Sequence, residues 1–148
     1  MSVNAKNGDG GNEQETLDAL RKRFFVDQDL AAALLEALAE KLLRFCTIDV
    51  LGHVHVREAV KGAKCQILVA LSARAVAARL NPEIVDDMTV AELAGSATPR
   101  LTNDIVSARC GELTKENLIE SPRRGSYRIR PDRIERFLDS LIGASAAA

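Results

Sequence analysis

The sequence predicts a mainly α fold with small β-hairpins: an N-terminal helical half followed by a second helical domain that ends in a basic hairpin. Three observations carry this expectation. Apolar residues recur at helical spacing over 30–45, at Val106, Cys110 and Leu113, and from Ile134 to Ile142. The run Cys65 to Leu80 is apolar almost all round, as a central helix is. The stretches 47–56 and 126–130 alternate with the period of a half-buried strand around turn residues.

Taken in order, residues 1–14 are rich in Asn, Gly, Gln and Asp without periodicity, and read as a disordered tail. The region 15–63 reads as helical with a short hairpin at about 47–56, and as a candidate dimerisation region. From Thr16, the residues Leu17, Leu20, Phe24 and Phe25 lie near one helix face, with the basic triplet Arg21, Lys22 and Arg23 opposite as a solvated face. Asp27 or Asp29 then caps a second helix. Its stripe of Leu30, Leu34, Leu38, Leu42 and Phe45, widened by Leu35 and Leu43, is broader than a lone surface helix needs. The hairpin turns at Gly52 and puts His53 and His55 on one face. With Cys46 or Cys65 they make a candidate metal set, since zinc accepts both donor types. The spacing follows none of the usual zinc patterns, so the pair reads as solvated strand histidines, and neither metal nor cofactor is expected. Asn81-Pro82 stops the central helix, and Glu83 to Asp87 is a short acidic connector.

Thr89 followed by Glu92 is a capping box, which starts a short helix that stops near Gly95. A further helix starts either at Thr98, with Pro99 as first helical residue, or at Thr102. Val106, Cys110 and Leu113 face inward on it, leaving Asn103, Ser107 and Arg109 outward. Leu118 to Glu120, a turn on Pro122-Arg123-Arg124-Gly125, and Ser126 to Arg130 complete a hairpin. A last helix opens at Pro131-Asp132 with Ile134, Phe137, Leu138, Leu141 and Ile142 on one side, and 143–148 reads as a fraying tail.

Helix, turn, helix and a basic-tipped hairpin together resemble a winged helix-turn-helix domain over residues 64–142. The segment Val106 to Glu120 is similar to the recognition helix and first wing strand of bacterial and archaeal winged-helix regulators. Asn117 stands where that family usually has Gly, and Asn tolerates the same left-handed turn. The resemblance implies double-stranded DNA as partner and a dimeric transcriptional regulator.

Composition narrows the alternatives. In 148 residues, 47% hydrophobic and 28% charged, one or two small globular domains are expected. No apolar run approaches the length of a membrane span, no signal-peptide pattern opens the chain, and three scattered cysteines suit a reducing compartment. A cytoplasmic protein is expected. An aromatic content of 3% without Trp argues against a stacking platform for single strands. No Gly-rich phosphate loop, paired-carboxylate site or activated nucleophile stands out, so a non-enzyme is expected. The net charge of −1 gives no global pull on nucleic acid, but charge is unevenly spread. Residues 81–97 hold four acidic side chains and no basic ones, whereas 121–136 hold six basic against two acidic.

These features define an expected DNA surface. Asn103, Ser107 and Arg109 would address base edges in the major groove. Arg100, Thr102, Arg123, Arg124 and Arg128 would hold phosphates, with Tyr127 beside them on the wing. About four phosphate contacts imply a log–log salt slope near −3 to −4. The alternative is a winged-helix adaptor that docks proteins without touching DNA, since fold alone does not settle function.

Overall fold

The computed structural model describes Thr16, Leu17, Leu20 and residues 32–147. Thr16, Leu17 and Leu20 are helical, as the spacing predicts. The expected 1–14 tail, the basic triplet with Phe24 and Phe25, Leu30, and the cap at Asp27 or Asp29 lie outside the described residues. The chain divides into two compact units, 1–30 and 31–148, and everything below concerns the second.

That unit is mainly helical with two small antiparallel sheets. Helix α1 (Ala32–Leu42) buries Leu38 and Leu42. Leu43, expected on the same stripe, is exposed, because the chain leaves the helix there and turns toward the first strand. Strands β1 (Cys46–Ile48) and β2 (Val54–Val56) pair antiparallel with Thr47 opposite His55. Asp49 Oδ1 accepts hydrogen bonds from the backbone N–H of Leu51 and of His53, both at 2.9 Å, so one short polar side chain organises the turn. Gly52 takes φ 92° in that turn, and a Cβ there would sit 3.0 Å from Ile84 Cγ2. The turn therefore needs glycine both for its backbone and for its close packing.

Helix α2 (Ala63–Leu80) is buried without interruption from Gln66 to Val76, the burial that an all-round apolar run calls for. It packs against α1, the first hairpin and the C-terminal elements. The boundary expected at residues 63 and 64 is thus no boundary between domains, since 32–63 share this helix as their core. Two polar side chains within it act as clamps. Gln66 Nε2 donates to the carbonyls of Val60 and Thr98, at 2.8 and 2.9 Å, and its Oε1 accepts from Thr98 N–H at 2.9 Å. Arg74 Nε donates to Val85 O at 2.7 Å, and its Nη1 to Gly52 O at 3.1 Å and Glu92 Oε2 at 3.2 Å.

Strand β3 (Met88–Thr89) leads into α3 (Val90–Ser96), where the expected capping box is complete: Glu92 N–H donates to Thr89 Oγ1 and Thr89 N–H to Glu92 Oε1. Helix α4 (Asn103–Lys115) starts at the later of its two expected positions, with Thr102 Oγ1 accepting from Ile105 N–H. Thr98 is not free to cap a helix, because Gln66 holds both of its backbone polar groups. Val106, Cys110 and Leu113 are buried as their spacing requires. Asn117 ends the helix at φ 61°, the left-handed conformation that Asn tolerates. Strands β4 (Ile119–Glu120) and β5 (Ser126–Ile129) form the hairpin, and β3 pairs with the other edge of β5, giving the order β3-β5-β4. Helix α5 (Pro131–Ala147) buries Ile134 and Leu138 and packs back on α1 and α2, with Lys41 Nζ 2.7 Å from Asp139 Oδ1. It runs to Ala147, past the point at 143 where a fraying tail is expected; the alanine-rich end has the highest helix propensity of any residue type. Among the described residues no helix is long and apolar enough to cross a membrane.

Opposite effects are expected from two glycine substitutions. Gly52→Ala should lower unfolding free energy by about 1–3 kcal/mol, from positive φ and the Ile84 contact. Gly111→Ala, in α4 with nothing within 4 Å of the added carbon, should raise it by up to about 1 kcal/mol. Urea titrations of both check the signs. Burial raises the Glu92 pKa, but the Thr89 N–H and the Arg74 guanidinium outweigh it and hold the carboxyl below its ordinary value. Its stabilising contribution is therefore full above about pH 4.3 and disappears as pH falls through the lower folded value. Stability measured against pH should fall less steeply on the acid side in Glu92→Gln than in the parent chain.

Candidate nucleic-acid interface

The surface is built from the start of α4 and the β4–β5 hairpin, two elements in mutual contact. Around α4 the buried stripe Val106, Cys110 and Leu113 defines the inside. The opposite side carries Asp104, Ala108, Gly111 and Lys115, of which all four are exposed. Asn103 and Ser107 are exposed along one flank of that side. Arg109 lies on the other flank, because two residues along a helix turn about 200°. The three residues expected to read base edges thus do not share a face. Arg109 Nη1 is 3.2 Å from Glu112 Oε2, and the same carboxylate is 3.4 Å from Lys64 Nζ on α2. Lys64 is also hydrogen-bonded to Glu116 Oε1 at 2.8 Å, which holds its ammonium pKa above the ordinary value. Arg109 belongs to this charge network, not to a free polar face.

The hairpin is shaped by a short polar turn. Ser121 Oγ lies 2.8 Å from the carbonyl oxygens of both Arg123 and Ser126, Ser126 N–H donates to Arg123 O, and Gly125 takes φ 80°. Ile129 is buried and Tyr127 half-buried, the latter opposite Met88 in the β3–β5 register. Tyr127 accordingly serves the sheet packing as well as the surface.

The arginines divide into two groups. Arg123 forks onto Asp87: its Nη2 donates to Oδ1 at 2.8 Å and to Oδ2 at 2.7 Å, and its Nε to Oδ2 at 3.0 Å. The Asp87 side chain is only 5% exposed while that of Arg123 is 67% exposed, so the arginine caps a buried carboxylate from the solvent side. Arg128 Nε donates to its cross-strand neighbour Glu120 at 2.7 Å, with Asp86 3.9 Å from Nη1. The Glu120 hydrogen bond holds the Arg128 pKa above its ordinary value. Arg100 and Arg124 are exposed and have no ion pair among the described residues. Thr102 has its hydroxyl engaged as the cap of α4. Of the five arginines expected on a DNA surface, Arg109, Arg123 and Arg128 are neutralised within the chain, and Arg100 and Arg124 are not.

Sequence reading missed the carboxylates Asp86, Asp87 and Glu120. The signal was present in residues 81–97, four negative side chains with no positive ones, set ahead of an arginine-rich hairpin. Pairing of β3 with β5 brings the two together. The histidines expected on one strand face are exposed, and His53 Nδ1 lies 3.0 Å from Asp49 Oδ2. Among the described residues no three His, Cys, Asp or Glu side chains gather where they could hold a metal ion. Cys46 and Cys110 are core thiols, pushed by burial up to about 11 and about 12. Compared with protein-family models, with curated proteins and with solved structures, the chain matches none of them.

The two kinds of arginine should respond differently to truncation. Arg123→Ala strands a buried carboxylate and should cost about 1–3 kcal/mol of stability, whereas Arg124→Ala should stay within about 0.5 kcal/mol of the parent. Denaturant unfolding of the two variants side by side measures the difference.

Proposed function

We propose that residues 64–142 form a winged helix-turn-helix that binds double-stranded DNA, in a homodimeric transcriptional regulator of the cytoplasm. The observation that carries the reading is the order α2, β3, α3, α4, β4, β5 with α4 leaving one polar side uncovered next to a hairpin tipped by Arg124. In this reading α4 lies in the major groove with Asn103 and Ser107 toward base edges. Arg100 and Arg124 take phosphates, and the Thr102 cap fixes the angle at which α4 starts. The Asp87–Arg123 clamp sets the hairpin against β3, with most of the guanidinium still open to solvent.

Two unpaired arginines give a weaker electrostatic attraction than the sequence alone leads one to expect. Each phosphate contact contributes about −0.9 to the log–log salt slope, so a slope near −2 replaces the value near −3 to −4. A second reading, a docking module for proteins, is favoured by one observation: Arg109, Arg123 and Arg128 are balanced by Glu112, Asp87 and Glu120, which suits a surface that need not attract phosphates.

Fluorescence anisotropy of a labelled duplex at several salt concentrations separates the two. The parent chain should bind with a slope near −2, and Arg100→Ala with Arg124→Ala should reduce the slope by about 1 per arginine and weaken binding to all duplexes alike. Duplex affinity unchanged by the double substitution, or absent at low salt, rules out the DNA reading and leaves the docking module.

A further inference from the structure

We infer that the cleft between β2 and α3 is a binding site for a small carboxylate carried on an apolar body. The cleft is open to solvent and holds about 280 Å³, just below the usual range for small-molecule sites. Its chemistry centres on Arg74, a residue in the middle of α2 with only 7% of its surface exposed. A buried guanidinium is costly unless its donors are satisfied. Nε and Nη1 are used up on Val85 O, Gly52 O and Glu92 Oε2. Nη2 has no partner among the described residues and is not among the atoms sealed from solvent without one. Arg74 forms part of the cleft wall, and in this inference the remaining edge of its guanidinium is the donor met by whatever enters.

Glu92 also borders the cleft, but it does not compete for that edge. Its Oε1 accepts from Thr89 N–H and its Oε2 from Arg74 Nη1, so both oxygens are already engaged. The rest of the lining separates into an apolar part and a polar mouth. Val54, Met88 and Ala91 supply the apolar walls, and Gly95 leaves space that a side chain would fill, with nothing within 4 Å of a Cβ built there. His53 and His55 are both exposed and border the cleft; His53 is taken up by Asp49, and the His55 imidazole N–H can donate to the second carboxylate oxygen. A buried guanidinium that is paired with Glu92 through Nη1 but keeps an open edge, together with apolar walls and the His55 imidazole, fits a benzoate-sized anion held by hydrogen bonds and apolar contact better than a bare inorganic one. This inference stands apart from the duplex reading, since its readout is ligand binding without DNA.

The test is an amide NMR titration of the full chain with sodium benzoate, alongside the uncharged benzamide and inorganic phosphate. Benzoate should give saturable shifts concentrated at His55, Ala91 and Gly95, with affinity at least tenfold above either control. Gly95→Leu, which fills the cleft from a helical position that tolerates a side chain, should abolish those shifts while leaving the remainder of the spectrum in place. Arg74→Lys, if folded by the same spectrum, should weaken benzoate at least tenfold. No saturable shifts with benzoate, equal binding of benzamide or phosphate, or benzoate binding unaffected by Gly95→Leu would each overturn the inference.

Discussion

The structure hangs on keeping α2 dry on every side while Gln66 and Arg74 within it remain bonded. Burial from Gln66 to Val76 supplies the apolar core of the unit, and within it Gln66 and Arg74 find partners inside, whereas the Ser72 hydroxyl has none among the described residues. Gln66 uses its amide on Val60 and Thr98, which joins the exit of the first hairpin to the loop before α4. Arg74 joins the turn of that hairpin, the acidic connector and the first turn of α3. One helix thus ties together elements far apart in the chain through two side chains about two turns apart. The later start of α4 follows from the first clamp, and the open edge over the β2–α3 cleft follows from the second.

A second constraint is the pairing of β3 with β5. It carries Asp86 and Asp87 to the hairpin and converts a segregated charge pattern into local neutrality. Read along the chain, an acidic connector and a basic hairpin look like separate fields. In three dimensions much of each cancels the other, as Arg123 covers Asp87 and Arg128 bridges toward Glu120 and Asp86. Arg100 and Arg124, on two loops, stay outside these pairs.

The flanks of α4 repeat the lesson on a smaller scale. Periodicity separates inside from outside, and Val106, Cys110 and Leu113 obey it. It does not say which outward residue is claimed by a neighbouring element. Arg109 is drawn into the Glu112, Glu116 and Lys64 network, whereas Asn103 and Ser107 stay open.

Local signals were legible in the chain alone. The Thr89–Glu92 capping box, the left-handed Asn117, the inward stripe of α4, the hairpin around Gly52 and the all-round apolar run of α2 each depend on residues within a few positions of one another. Backbone hydrogen bonding and side-chain periodicity act over that range, so sequence determined the elements and most of their inward faces. Tertiary structure alone decided the choice of Thr102 over Thr98, the union of 32–63 with the rest of the fold, and the fate of the arginines. Asp87 and Arg123 stand 36 positions apart, as Gln66 and Thr98 stand 32 apart. Pairs at such separations meet only through strand register and helix packing, and no spacing rule along the chain reports them.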